Sequence, residues 1–554
     1  MKVRGFSLRA LEIHSSRMWQ TAAVESALNF AAKSGLNALI FHQNDLVDRL
    51  VFPEQLFSDT LMWKRWPVRM HSIYNNRHYV NNVIRSAKAR GIAFYLEIKE
   101  ISFPDEVLEF VPELRNADGS ICPTHPFWNE FLGWKVSELL TVVPDIAGII
   151  VSAGTRESKV SISTNTCNCD RCRDVDPLDW YLRLIDTIRR PLASAGKRLV
   201  VRDFAYTADQ QNLLIEAASK CSEDIVISLK NTPHDFYPTF PNNPKIGHCG
   251  NNEQWVEFDT WGQFFGLGFF PVSVVEDMQK RLRYCHDNGV TGVIFRTDWE
   301  VITEASVFNS FNMLNLIGGA LLCQNVDANL DDVYRAWANY GLLSPMRPAS
   351  ALSKPIVPLE DQAWESLRNF MQFSWSVMEK TVYVRGHVFH EDCQFPDSVE
   401  KAFSMMVKIH GRDDWEPGAS RLVEITKSNL ETIFEEKAKA VEEVRTLSSK
   451  LLPSIRQLPE SFCREIEQML ELYELYVEGF QHCARTIFLT RWAMLTRQER
   501  DYKEAEASLR PLIRYRKQVE RRLENTNYPH YVYWLLDVRR LDQLIRDVSR
   551  LLAN

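Results

Sequence analysis

The amino-acid sequence predicts an α/β fold, a (β/α)8 TIM barrel followed by an α-helical C-terminal domain. Two observations support this fold class. From residue 3 to about residue 337, short β-branched and apolar runs alternate with longer helical patterns, which is typical of β/α units around a parallel sheet. Beyond that point the β-rich pattern disappears and helical spacing takes over. We therefore expect a barrel domain over residues 1–340 and a helical domain over residues 341–554.

Eight short runs fit the strands of a closed barrel, and eight is the number that closes it. Several of them pass from apolar to polar or charged residues at their C-terminal ends, where barrel enzymes place their chemistry. An open doubly wound sheet is the alternative, but the glycine-rich phosphate turn that often marks it is missing. In chain order the predicted strands are Val3–Leu11, Ala38–Gln43, Ala93–Ile98, Gly148–Ala153, Arg198–Phe204, Asp224–Asn231, Trp255–Asp259 and Gly292–Asp298.

The C-terminal part begins with a segment rich in proline and serine, Ser344–Asp361, which we interpret as a linker or an ordered wrap. Apolar residues at helical spacing, with many charged residues between them, then predict four helical stretches. Their charged faces suit either solvent or a dimer surface. The stretches are Ala419–Ser448, Glu460–Arg497, Gln498–Glu524 and Tyr531–Leu552.

Composition narrows the classes of partner and the compartment. The formal net charge is −7, with acidic and basic residues interspersed, so neither nucleic acid nor an anionic membrane is expected as a partner. The N-terminal residues have no apolar core of signal-peptide length, and no run of about 18 apolar residues occurs. These features predict a cytoplasmic protein. The odd number of cysteines, 11, indicates reduced thiols rather than a disulfide framework.

Carboxylates at the predicted strand ends are the first candidates for chemistry. Hydrolysis of a glycosidic bond needs a carboxylic acid that protonates the leaving oxygen and a carboxylate that activates water or attacks the anomeric carbon. Several of these acids are expected to serve only in salt bridges or helix caps. The candidates are Glu97, Glu157, Asp203, Asp235, Glu257, Asp259, Asp298 and Glu300.

Aromatic and cationic side chains accompany these acids. Sugar rings present apolar C–H faces, so Trp255, Trp261 and Trp299 are candidates for the lining of a sugar pocket, against core packing as the alternative. Arg202, Lys230 and Arg296 lie near the ends of strands five, six and eight, where they can bind a substrate carboxylate or pair with neighbouring acids. Five histidines in predicted loops are candidates for sugar contacts or proton relay, although a structural role is commoner: His42, His71, His125, His234 and His248.

Three thiols within six residues mark the loop after the fourth strand. Cys167, Cys169 and Cys172 have a spacing that suits zinc, but a closed structural site needs a fourth ligand and none is adjacent in sequence. Structural zinc and unliganded cysteines therefore both remain open, and no other cofactor is expected.

An ordered series of blocks along residues 90–340 resembles glycoside hydrolase family 67, the α-glucuronidases. It includes CPTHPFWNEFLGWKVSELL before the fourth strand. The further blocks are PDIAGIIVSAGTRES (Pro144–Ser158), RLVVRDFAY (Arg198–Tyr206), DIVISLKNTPHDFYPTFP (Asp224–Pro241) and VEFDTWGQFFG (Val256–Gly266).

The resemblance implies roles for three residues. Asp235 matches a carboxylate of the family's general-base pair, and Lys230 and Arg202 match cations that contact the uronate carboxylate. Three positions depart from the family: its second base glutamate falls on Gln263, its acid glutamate on Arg156, next to Glu157, and a third cation on Ser152. Related hexosaminidase-type barrels also place an acid after the fourth strand, so Glu157 is our candidate for the acid.

Together these points predict an exo-acting glycoside hydrolase for a small oligosaccharide, and they leave open whether this oligosaccharide bears a uronate. Glu157 would be the general acid and Asp235 the base or nucleophile, with Glu257, Asp259, Asp298 and Glu300 as reserves for the second carboxylate. Gln263 and the cations would bind substrate. The alternatives are a metal-dependent sugar-acid lyase or isomerase and an inactive sugar-binding protein. The resemblance also implies a homodimer formed through the helical domain.

Overall fold

A computed structural model describes residues 4–344, 346–347, 361–524 and 526–553, and it confirms the predicted fold class. Eight parallel strands form a closed barrel in sequential order, β1 to β8. Within the described residues, no helix combines the length and apolar character needed to span a bilayer. The strands are β1 Leu8–Ile13, β2 Ala38–His42, β3 Ala93–Lys99, β4 Gly148–Ala153, β5 Arg198–Asp203, β6 Val226–Lys230, β7 Gln254–Asp259 and β8 Gly292–Arg296.

Helices follow most strands on the outside of the barrel. The connection between β6 and β7, residues 231–253, contains no helix and runs as an irregular loop above the sheet. The helices of this part are α1 Thr21–Lys33, α2 Asp59–Arg65, α3 Pro67–Ala89, α4 Val107–Phe110, α5 Phe127–Val142, α6 Asp170–Arg173, α7 Pro177–Ser194, α8 Ala208–Cys221, α9 Val275–Asp287, α10 Met313–Leu322 and α11 Leu330–Tyr340.

Along each strand of the barrel, one inward-facing side chain is apolar and the next inward-facing side chain, two residues later, is polar. The lower interior is a separate cluster built around Tyr95, Trp255 and branched aliphatic residues. Because side chains alternate along a strand, the residue two positions further on in each strand also faces inward. That second set, which we call the polar layer, consists of Glu12, His42, Glu97, Ser152, Arg202, Ser228, Glu257 and Arg296, all buried.

The first strand lies further along the chain than predicted. It runs over Leu8–Ile13, whereas the sequence predicted Val3–Leu11, and Val3 itself lies outside the described residues. The Phe6 amide instead bonds to the Cys323 carbonyl after α10. This shift brings Glu12 into the polar layer and His14 to the rim of the barrel.

The C-terminal part is helical, as predicted. The predicted stretch beginning at Ala419 becomes a helix only at Lys427, because Thr426 caps that helix and residues before it form a short 3-10 turn. Residues 348–360 of the predicted linker lie outside the described residues. The helices are α12 Asp361–Val382, α13 Val399–Ser404, α14 Lys427–Ile455, α15 Glu460–Thr496, α16 Glu499–Glu524, α17 His530–Leu535 and α18 Val538–Ala553.

A small hairpin between α12 and α13 directs one loop of the helical part toward the mouth of the barrel. Its strands are β9 Tyr383–Val384 and β10 His387–Val388. The Tyr383 hydroxyl donates to the Phe264 carbonyl, and the Cys393 thiol lies 3.2 Å from the Gln263 carbonyl. The helical part is thereby held against the loop that follows β7.

Candidate active site

Arg202 is the hub of the polar layer at the base of the site. Its guanidinium donates to Glu257 at 2.6 Å and also bonds to Glu97, while Ser228 donates to Glu257 at 2.7 Å. Burial and the nearby carboxylates raise the pKa of Glu97 to about 7, although Arg202 opposes the shift. The charge of Arg202 is therefore balanced by carboxylates of the protein itself, and this network of ion pairs forms the floor of the site.

Two histidines lie between the polar layer and the rim. His42 Nδ1 is 3.0 Å from a Glu12 oxygen, and the His14 and His42 rings lie with centroids 3.6 Å apart. Burial holds the pKa of His42 well below its usual value, so this imidazole is neutral at pH 7. On its other side, His14 Nε2 contacts the Glu300 carboxylate.

Above the polar layer, a cavity of about 210 Å³ opens at the C-terminal ends of the strands. Its walls are formed by acidic and aromatic side chains that come from several loops. The carboxylates are Glu157, Asp235, Glu300, Glu391 and Asp392, and the aromatic side chains are Phe204, Tyr206, Phe236, Tyr237, Phe264 and Trp299. A concave site with several convergent acids is suited to acid and base chemistry on a bound ligand.

Asp235 lies on the irregular loop after β6 and is held ionised by a lysine. Lys230 at the end of β6 donates to the Asp235 carboxylate at 2.6 Å. Burial raises the pKa of Asp235, but the Lys230 ammonium outweighs it and holds the pKa well below its usual range. The backbone of Asp235 is left-handed, with φ of 46°. Asp235 is thus a fixed carboxylate at the wall of the cavity.

Glu157 has a similar partner on the neighbouring side of the cavity. Its carboxylate is 3.0 Å from the ammonium of buried Lys99, and its side chain is 36% exposed. The Lys99 and Lys230 ammonium groups lie 4.1 Å and 3.8 Å from the ring centroid of Phe204. One aromatic ring therefore supports both lysines, and each lysine pairs with one carboxylate of the cavity.

Asp392 reaches the cavity from the helical part and was not among the residues predicted from the sequence. Its carboxylate accepts a hydrogen bond from Gln263 Nε2 at 2.9 Å. Loss of water around Asp392 raises the pKa of its carboxyl to about 7, and the nearby carboxylates of Glu391, Asp235 and Glu300 act in the same direction. Asp392 therefore retains its proton at a pH at which Asp235 is ionised.

The backbone that carries Asp392 is unusual. Asp392 and Cys393 have φ of 53° and 58°. Residues other than glycine adopt this left-handed backbone conformation only with a cost in free energy. The Tyr476 hydroxyl donates to the Cys393 carbonyl, and the Cys393 thiol bridges to the β7 loop. Strained residues that persist under such restraints cluster at functional sites.

Arg296 lines the cavity, where its Nε donates to the Asp298 carbonyl at 3.1 Å. Its guanidinium donates to Gln263 Oε1 at 2.6 Å, and its ion-pair contact with Glu300 spans 3.8 Å. Glu300 is mainly engaged with His14, and this contact, together with Arg296, lowers the pKa of Glu300 to about 2 despite the burial that raises it. A guanidinium that borders a cavity is chemically suited to an anionic group of a ligand.

Several candidates from the sequence take structural places instead. Glu257 belongs to the polar layer, and the Asp298 carboxylate accepts from the His14 amide and the Ser15 hydroxyl, each at 2.6 Å. Asp259 accepts from three amides of the turn after β7, and Asp203 caps the start of the loop after β5. These four buried carboxylates do not line the cavity. We therefore correct the assignment of Glu257, Asp259 and Asp298 as reserves for the second carboxylate, and that of Asp203 as a candidate for chemistry.

The prediction that three tryptophans line the sugar pocket is wrong for two of them. Trp255 lies in the apolar lower interior, below the polar layer, because it is two residues nearer the N-terminus of its strand than Glu257. Trp261 is 1% exposed and packs against the turn at Gly268. Trp299 does line the cavity, and its ring meets Trp534 edge to face.

The histidine and cysteine candidates of the β3 and β4 loops lie away from the cavity. His125 is in a separate small pocket beside Trp128 and Trp180. Cys167, Cys169 and Cys172 come together with a fourth thiol, Cys122. His234, in contrast, lies beside the site, where its Nε2 is 2.6 Å from His410 Nδ1.

No family model and no curated protein sequence matches this chain. Its fold is similar to that of solved carbohydrate-active enzymes. A structure described as a GH138 enzyme targeting pectin rhamnogalacturonan II aligns with a TM-score of 0.65 at 12% identity, covering 95% of this chain and 63% of the other. This chain thus spans less than two thirds of that enzyme, and the likeness shows a shared fold that extends into the helical part.

Two further similar structures align less well. An O-GlcNAc hydrolase of Thermobaculum terrenum gives a TM-score of 0.45 at 12% identity, covering 99% of this chain and 96% of the other. A GH20 exo-β-N-acetylglucosaminidase of Vibrio harveyi gives 0.39 at 14% identity, covering 59% and 56%. The resemblance to family 67 stays a prediction.

Proposed function

We propose that this protein is an exo-acting glycoside hydrolase, with Asp392 as the general acid and Asp235 as the base or nucleophile. The observation that carries the proposal is the opposite shift of two carboxyl pKa values in one cavity. Asp392 has a pKa raised to about 7, whereas Lys230 keeps the pKa of Asp235 low. When the pKa values of two carboxyls differ in this way, one carboxyl can donate a proton and the other can accept one at the same pH.

The shape of the site supports action at a chain end. The cavity of about 210 Å³ is closed below by the polar layer, and it is smaller than the roughly 300–1,000 Å³ typical of sites for drug-sized ligands. A single terminal sugar suits this space better than an internal segment of a polysaccharide. Trp299 and Phe236 line this space and supply apolar surface against which its C–H groups can pack.

A uronate is the sugar that the charges favour. Arg296 lines the cavity and its contact with Glu300 spans 3.8 Å, so a substrate carboxylate can complete its coordination. The GH138 enzyme of similar fold is described as targeting pectin rhamnogalacturonan II, which supports a carbohydrate substrate without specifying the sugar for this chain. Lys230 and Arg202, the cations implied by the family 67 resemblance, are already paired with Asp235, Glu97 and Glu257.

Glu157 is the rival for the role of acid. It lines the same cavity, but its carboxylate is engaged by the Lys99 ammonium at 3.0 Å, and its side chain is 36% exposed, whereas Asp392 is held inside the cavity by Gln263. We therefore assign Glu157 to substrate binding or to the second carboxylate. The comparison of Glu157→Gln with Asp392→Asn decides between the two assignments.

The test is release of the aryl group from a panel of aryl glycosides weighted toward glucuronides, galacturonides and hexosaminides. The wild type should cleave at least one of them, and Asp235→Asn should lose about three orders of magnitude in kcat. Asp414→Asn makes the same chemical change at an exposed position outside the cavity and should be fully active. Tight sugar binding without any turnover would overturn the hydrolase in favour of an inactive binding protein.

A second candidate rests on a different cluster. Glu12, His14 and His42 bring ligand atoms within 4.8 Å of one another, an arrangement that suits a divalent metal. Such a site would support the metal-dependent lyase or isomerase predicted as an alternative. Dialysis against a chelator, followed by addition of Mg²⁺ or Mn²⁺, tests it: activity that is lost and then restored supports this candidate, whereas activity unaffected by the chelator supports the two-carboxylate hydrolase.

A further inference from the structure

Four cysteine side chains converge outside the cavity, on loops that are distant in sequence. Cys122 follows β3 and precedes α5, while Cys167, Cys169 and Cys172 lie between β4 and α7. Their sulfur atoms all lie within 4.8 Å of one another. Cys122 on the neighbouring loop therefore supplies the fourth thiol that the sequence of the β4 loop does not contain.

We propose that these four cysteines bind one Zn²⁺ ion in a tetrahedral, structural site. Zinc–thiolate bonds of about 2.3 Å in a regular tetrahedron place the sulfur atoms about 3.8 Å apart. The Cys122 sulfur lies 3.7 Å from that of Cys169 and 3.6 Å from that of Cys172. These separations match the edges of such a tetrahedron and are far longer than the roughly 2.05 Å of a disulfide.

The surroundings of the sulfur atoms suit bound thiolates. Asn116 Nδ2 donates to Cys167 Sγ at 3.1 Å, and the Thr124 hydroxyl lies 3.2 Å from Cys172 Sγ. The Arg171 guanidinium is 4.0 Å from Cys122 Sγ. Donors and a cation around a tetrathiolate site offset its net negative charge and orient its ligands. Cys122 and Cys167 are buried, which limits exchange of the ion.

The proposed ion would stabilise the fold rather than take part in chemistry. None of the four cysteines lines the cavity. The connection between β4 and α7 is long, with only the four-residue helix α6, and it also carries Glu157. At its inner end it is tied to the β3 loop by a bridge between Ile101 and Val160. The zinc ion would tie the outer ends of the same two loops together.

Metal analysis of the purified protein tests the inference independently of any catalytic activity. The wild type, purified under reducing conditions without chelator, should contain about one zinc ion per chain. Cys122→Ser and Cys169→Ser should each lower the content to below about one tenth of an ion. Cys221→Ser is the matched control, because Cys221 lies on α8 outside the cluster, and it should retain the full content.

Cobalt substitution gives a second readout that does not depend on the folding of variants. After removal of zinc, Co²⁺ should restore one equivalent of metal and produce the intense visible bands of tetrahedral cobalt with thiolate ligands. Zinc-free wild-type protein that also fails to bind cobalt would overturn the proposal. Full metal content in both Cys122→Ser and Cys169→Ser, or iron in place of zinc, would overturn it as well.

Discussion

Gln263 Nε2 donates a hydrogen bond of 2.9 Å to the carboxylate of Asp392, which joins the barrel to the helical part at the mouth of the cavity. The family 67 resemblance places a base glutamate at the position of Gln263. In this chain the amide at that position holds a carboxyl from elsewhere in the sequence. The site therefore contains an acid that the barrel alone does not provide.

The activity should fall as the pH rises above about 7. Asp392 must be protonated to act as an acid, and its pKa is raised to about 7, so the basic limb of the kcat/KM profile should report this group. Gln263→Glu should move that limb to higher pH, since a second carboxylate beside Asp392 disfavours its ionisation. If the basic limb does not move in Gln263→Glu, the ionisation that it reports is not that of Asp392.

Lys230→Met should create an acidic limb in the profile. In the wild type the Lys230 ammonium holds the pKa of Asp235 well below its usual range, against the effect of burial. Without the ammonium, the effect of burial dominates and the pKa of Asp235 rises. Acidification then protonates Asp235, which must be ionised to act as base or nucleophile, so activity should fall steeply. Lys220→Met, at an exposed position on α8, should leave the profile unchanged. Equal profiles for both variants would contradict the pairing of Lys230 with Asp235.

Arg296→Met should reduce the preference for uronides over the matching neutral glycosides by about 10- to 100-fold, the worth of one or two hydrogen bonds to a charged group. The loss should appear mainly in KM for the uronide. Arg190→Met, which removes an exposed arginine of α7, is the control. A uniform loss on acidic and neutral substrates alike would assign Arg296 to the support of Gln263 rather than to recognition.

Stability should also depend on Asp392. A carboxyl whose pKa is higher in the folded state binds more protons folded than unfolded, so its contribution to the free energy of unfolding falls between its unfolded pKa of about 4 and its folded pKa of about 7. Relative to Asp392→Asn, the wild type should therefore lose stability as the pH rises through this window, and the difference should level off above it. Denaturant titrations at several pH values measure it, and a constant difference would exclude the raised pKa.

The fold could be predicted from the sequence because it depends on local periodicity. Each strand produces its own apolar run, and the polar layer follows from the alternation two residues beyond Trp255 or Ile294. Asp235 and Glu157 were found in the same way, since they follow strand ends.

Asp392 and Cys122 could not be found by that route. Asp392 contacts Gln263 across 129 positions of sequence, and Cys122 meets Cys169 across 47. Nothing local distinguishes such residues, because their roles arise from tertiary contacts between separate loops. For Asp392 the clearest signal is the left-handed backbone at 392 and 393, which only the structure reveals.

The most direct test of the proposed acid is the dependence of hydrolysis on the leaving group in Asp392→Asn and Glu157→Gln. A variant that lacks the general acid cleaves activated aryl glycosides, whose leaving groups need no proton, far better than unactivated ones. We predict that Asp392→Asn loses about three orders of magnitude on an unactivated glycoside and recovers most of it on a dinitrophenyl glycoside, while Glu157→Gln is impaired equally on both. The reverse pattern would contradict the assignment of Asp392 and make Glu157 the acid.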